Sequence, residues 1–128
     1  MKKTHEMTSE YGLKGKNIIV TGAAGGLGSS IAKSFASCGA NTLLTDTHSK
    51  ENALNNISRN NIKKYDIKSH ILLLDISNRC DVEKNLENSI CSFSKKIDCL
   101  VNCAAIYHKN FWEPIGKNNI ERWDQIID

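Results

Sequence analysis

The sequence predicts an α/β fold in which parallel strands alternate with helices around one sheet. Three observations carry that expectation. Short apolar runs bounded by polar residues alternate with longer stretches of helical period, the pattern of repeated βαβ units. A glycine-rich segment stands between the first apolar run and the first helical stretch. A later run, Ile71-Leu72-Leu73-Leu74, is apolar throughout, as a strand covered on both faces requires.

In chain order, Met1 to Glu10 carries Lys2, Lys3, His5, Glu6 and Glu10 without an apolar stretch. Residues 1–12 therefore read as a polar tail and not as a secretory signal, with one domain over 13–128. Ile18-Ile19-Val20 is the first strand. Leu27, Ile31 and Phe35 then recur every four residues beside Gly28, Ala32 and Ala36, which predicts a helix with a narrow side able to approach a sheet closely. Gly39 is its stop signal. Asn41 to Asp46 is the second strand. Lys50 to about Asn60 is a weaker helix carried by Ala53, Leu54 and Ile57, poor in strong helix formers. Ile71 to Leu74 is the third strand, and Val82, Leu86, Ile90 and Phe93 mark a helix capped near Ser77 or Asn78. Ile97 to Val101 is the fourth strand. Tyr107 to Lys117, holding Pro114 and Gly116, reads as an irregular loop. Ile120, Trp123 and Ile127 return to helical spacing.

Composition excludes several functional classes. The chain has 128 residues, 40% of them hydrophobic and 24% charged, which is enough apolar content for a core. A net charge of +3, with no basic cluster interleaved with aromatics, gives no support for nucleic-acid binding. The longest aliphatic run falls far short of the roughly twenty residues that span a bilayer, so no membrane role is expected. Cys38, Cys80, Cys91, Cys99 and Cys103 are odd in number and contain no Cys-x-x-Cys pair. They predict neither disulfides nor a metal site, but reduced core cysteines in a cytoplasmic protein.

The segment Thr21-Gly22-Ala23-Ala24-Gly25-Gly26-Leu27-Gly28 joins strand to helix as T-G-x-x-x-G-x-G. Glycines at such a turn let backbone N–H groups and the positive end of the helix dipole approach a pyrophosphate. Gly22 makes the turn, Gly26 allows the approach, and Gly28 lets helix and sheet pack. Asp46 ends the second strand about twenty residues on, where a carboxylate accepts hydrogen bonds from a ribose and repels a 2′-phosphate. Thr47, not an arginine, follows it, and no Lys or Arg lies between Thr21 and Ser30. NAD is therefore expected over NADP, with Lys50 able to blunt the preference.

These residues resemble the short-chain dehydrogenase/reductase family. Leu74-Asp75-Ile76-Ser77 is similar to the family's D-[VI]-[ST] after the third strand, where Asp75 and the N–H of Ile76 would hold adenine. Val101-Asn102-Cys103-Ala104-Ala105 is similar to V-N-N-A-G, with Asn102 kept and small Ala104 and Ala105 lining the cofactor. Trp123-Asp124 resembles the W-D of the following helix. The resemblance covers Gly15 to Asp128. It implies a Rossmann-like doubly wound sheet, first half only, with about four strands in the order 3-2-1-4 and flanking helices. It also implies hydride transfer between nicotinamide and an alcohol or ketone. The family's Tyr-x-x-x-Lys pair is absent: Tyr11, Tyr65 and Tyr107 are followed four places on by Gly15, Ser69 and Phe111. The expected cofactor residues are thus Thr21, Gly22, Gly25, Gly26, Leu27, Gly28, Asp46, Asp75, Ile76, Asn102, Ala104 and Ala105, with no catalytic or metal residue. The 128-residue chain is expected to be inactive by itself, as the incomplete N-terminal half of an oxidoreductase. The alternatives are a nucleotide-binding regulatory module or one half of a split enzyme, with a homo-oligomer or complementary chain as partner. On the implied strand order, the outer edge of the fourth strand is left unpaired and apolar.

Overall fold

A computed structural model describes residues 11–106. The expected tail over 1–10, the loop over 107–117 and the helix marked by Ile120, Trp123 and Ile127 lie outside the described residues. Four parallel strands form one sheet in the order β3-β2-β1-β4, as the family resemblance implied. They are β1 (Asn17–Thr21), β2 (Asn41–Asp46), β3 (Ser69–Leu73) and β4 (Cys99–Val101). The helices α1 (Gly26–Ser37), α2 (Glu51–Tyr65) and α3 (Arg79–Phe93) supply the crossovers.

Alternation along the strands divides the core into two layers. Ile18, Val20 and Leu44 pack with Ala32 of α1 and Leu54 of α2 on one face. Ile19, Leu43, Leu72 and Leu74 pack with Phe93 of α3 on the other. Leu72 and Leu74 thus serve one layer, while Ile71 and Leu73 pack against the opposite one. That is why this run is apolar throughout. In α1 the buried positions are Gly28, Ala32 and Ala36, so the small side approaches the sheet and Leu27 is left exposed.

Several boundaries differ from expectation. α2 runs to Tyr65, not Asn60, because no glycine stops it and Asp66 closes it in the left-handed region at φ 53°. β3 begins at Ser69 and β4 at Cys99. Before β4, the Asp98 carboxylate accepts the Asn17 N–H at 2.9 Å, so a side chain takes a place that a ladder carbonyl would otherwise fill. Asn78 is the cap of α3, accepting from the Asp81 N–H. The cysteines are free, and none is the fully buried core residue that the sequence led us to expect. Cys80 and Cys91 are exposed on α3, and Cys38, Cys99 and Cys103 are half-buried, with Cys99 packed against the first layer.

Candidate functional site

The C-terminal ends of the strands carry the features singled out in the sequence. At the end of β1 the chain turns through Gly22, at φ +61°, where a Cβ would stand 2.7 Å from the Cys103 carbonyl oxygen. Only glycine combines that dihedral with so close a backbone. A Cβ on Gly28 would overlap the Gly22 carbonyl, so the first turn of α1 lies directly against the loop. Gly25, Gly26 and Leu27 are exposed. No side chain caps α1, and its first-turn N–H groups have no intrahelical acceptor. The result is an open donor surface at the positive end of a helix dipole, suited to an anion.

Two side chains fix this arrangement. The Thr21 hydroxyl accepts hydrogen bonds from the N–H groups of Cys103 and Ala104 at 3.0 and 3.1 Å. It ties the turn after β4 to the end of β1. Asp46 accepts from the Ala24 N–H through Oδ2 and from the Thr47 N–H through Oδ1, both at 2.9 Å. The acidic residue of β2 is therefore also a brace for the glycine loop. Asp75 accepts from both the N–H and the hydroxyl of Ser77, and the Ser77 contacts hold its carboxyl below the ordinary 3.8.

A cleft of about 350 Å³ opens between these loops. Of the expected residues, Gly22, Gly25, Asp46, Asp75, Ile76, Ala104 and Ala105 line it. Thr21 is buried beneath it, and Gly28 is buried in the first turn of α1, against the glycine loop. Gly26, Leu27 and Asn102 are exposed outside the lining. The lining also includes Thr45, Lys50, Leu74, Ser77, Cys103 and Ile106. Lys50 had a sequence signal in its place shortly after Asp46. Thr45 had none, since a threonine inside a strand is ordinary. Among the described residues no group of His, Cys, Asp and Glu is placed to hold a metal ion, and no helix is long and apolar enough to cross a membrane.

The glycine turn, the uncapped helix and the flanking carboxylates form a surface with donors for a diphosphate and acceptors for ribose or adenine hydrogens. A family model described as short chain dehydrogenase matches residues 16–128. A short chain dehydrogenase/reductase of Gibberella zeae is 31% identical over 115 residues, 90% of this chain and 40% of that protein. A sorbose reductase of Schizosaccharomyces pombe is 32% identical over 121 residues, 94% of this chain and 46% of that protein. Among solved structures, L-sorbose reductase from Gluconobacter frateurii, complexed with NADPH and L-sorbose, matches with a TM-score of 0.71 at 27% identity. That match covers 87% of this chain and 40% of the other. The chain spans less than half the length of each of these relatives.

Proposed function

Because the chain belongs to the short-chain dehydrogenase family, we propose that it is the dinucleotide-binding portion of an oxidoreductase acting on an alcohol or ketone. The observation that carries this reading is the glycine turn packed under an exposed, uncapped helix N-terminus. When bound there, a nicotinamide dinucleotide supplies hydride chemistry. The chain's own part is to bind and orient. The first-turn N–H groups of α1 face the diphosphate, Gly22 keeps the floor clear of side chains, and Asp46 and Asp75 accept hydrogen bonds from the adenosine end. Ala104 and Ala105 are small enough to let the ligand lie against the turn after β4.

Asp46 supports NAD over NADP, because a carboxylate opposes a 2′-phosphate at short range. Lys50 lines the same cleft and works in the opposite direction, and the Gluconobacter relative was solved with NADPH. Calorimetric titration of the purified chain with NADH and NADPH decides between them. Tighter NADH is expected, and replacing Asp46 by Asn should narrow the gap. Equal affinities, or tighter NADPH, in the unaltered chain would remove the role given to Asp46. No Tyr-x-x-x-Lys occurs within the 128 residues, so the purified chain should bind the dinucleotide without reducing carbonyl compounds; any NADH-dependent turnover would refute that.

A further inference from the structure

We infer that the hydroxyl of Thr45 is a hydrogen-bonding contact for the adenosine end of the dinucleotide, an assignment that rests on the function proposed above. Thr45 is 1% exposed. It lines the cleft beside Asp46 and Gly22, yet its Oγ1 has no hydrogen-bond partner among the described residues. Its register partner Thr21 does not satisfy it. The Thr21 hydroxyl is occupied by the turn after β4, accepting from Cys103 and Ala104 and facing the Val101 carbonyl at 3.5 Å. The backbone carbonyl of Thr45 is likewise engaged, by the Ala23 N–H at 3.1 Å.

A buried hydroxyl without a partner is costly, and valine has nearly the same shape without that cost. A threonine at this place is thus best accounted for by a partner that arrives with a ligand. The chemistry of the cleft identifies which end of the ligand. Asp46 and Asp75 flank it, and ionised carboxylates only accept. Both halves of a dinucleotide offer ribose hydroxyls and an NH2 group, but the acidic residue that ends β2 of such a sheet, here Asp46, is placed for the adenosine ribose. The adenosine also carries ring nitrogens and ribose oxygens, which need a donor. A threonine hydroxyl both donates and accepts.

The test compares Thr45→Val, Thr45→Ala and Thr45→Ser with the unaltered 128-residue chain. Thermal midpoints are measured without ligand, and affinities for NADH, NADPH and AMP by calorimetry. Loss of the hydroxyl in the Val and Ala variants should weaken binding by about five- to tenfold, equally for AMP and the preferred dinucleotide. The Ser variant should stay within about twofold of the unaltered chain. Without ligand, the Val variant should melt at or above the unaltered midpoint. Unchanged affinity in the Val and Ala variants overturns the assignment while leaving the dinucleotide reading intact. So does a lowered midpoint for Val, which would mean the hydroxyl has a partner in the free chain. A loss seen for the dinucleotide but not AMP refutes placement at the adenosine. Absence of binding by the unaltered chain overturns the function itself and this inference with it.

Discussion

Gly22 and Asp46 show how single residues at the site hold two jobs. Gly22 allows a ligand to come close, and it also lets the turn after β4 sit against the end of β1. Any side chain there meets both a positive φ and a backbone carbonyl. Gly22→Ala should therefore cost stability even without ligand, by more than about 1 kcal/mol, read as a lowered urea midpoint. A midpoint equal to that of the unaltered chain would show that the loop relaxes freely and that the steric argument fails. Asp46 has a similar double role: the carboxylate expected to meet a ribose also braces Ala24. The aspartate was legible in the sequence from its place at the end of a strand. The brace was not, because it joins residues 22 apart in sequence that only the β1–β2 register brings together.

At the scale of elements, local rules explain α1 and α3 well and α2 less well. α1 opens on glycines and closes near Gly39, whose N–H bonds to the Ala36 carbonyl at 2.9 Å. α3 opens on Asn78, a strong cap. α2 lacks such a stop. Its true end at Tyr65 is set by tertiary packing, with Leu54, Ser58 and Asn61 buried along one side and the Ser58 hydroxyl donating to the Ser69 carbonyl at 3.0 Å. Asp66 then takes a left-handed conformation that glycine adopts at no steric cost, and its negative charge lies at the unfavourable end of the helix dipole. Asp66→Gly should raise stability by about 0.5–1 kcal/mol, measured by chemical denaturation. A decrease would mean that the aspartate side chain contributes a contact worth more than the strain.

Across the whole molecule, the two edges of the sheet are built differently. The edge opposite the cleft is closed by a polar chain. Asn17 Nδ2 donates to Ser94 Oγ, Asn41 Nδ2 donates to Asn17 Oδ1, and Asn41 Oδ1 accepts the Lys68 N–H. Asp98 completes it by accepting the Asn17 N–H, with Lys96 Nζ 2.9 Å away. These groups answer the backbone and side-chain donors at the strand starts. The Asn17 N–H and Lys96 hold the Asp98 carboxyl below the ordinary 3.8. A carboxyl depressed in the folded state contributes stability above its unfolded value and loses it as pH falls through the folded one. Unaltered chain and Asp98→Asn should thus differ in thermal midpoint at pH 7, and the difference should shrink as pH falls below the ordinary 3.8; a constant difference would show that the charge of Asp98 is not what stabilises this edge. The lateral edge at β4 is less provided for. Among the described residues only β1 pairs with β4, and Leu100 is 57% exposed, the kind of surface that a further strand or a partner would cover.

The sequence by itself determined the alternation of strands and helices, the glycine turn, the acidic strand end and the family resemblance. Each depends on spacing within a few residues, where sterics and periodicity act without reference to the rest of the chain. Tertiary structure decided which polar groups meet. The Thr21 hydroxyl reaches an N–H 82 residues away, Asp46 turns back onto the glycine loop, and Thr45 is left with a buried hydroxyl beside the cleft. Parallel strands gather residues from distant crossovers at one edge, and the side chain that a given hydroxyl or carboxylate faces there follows from sheet register, which no local pattern encodes.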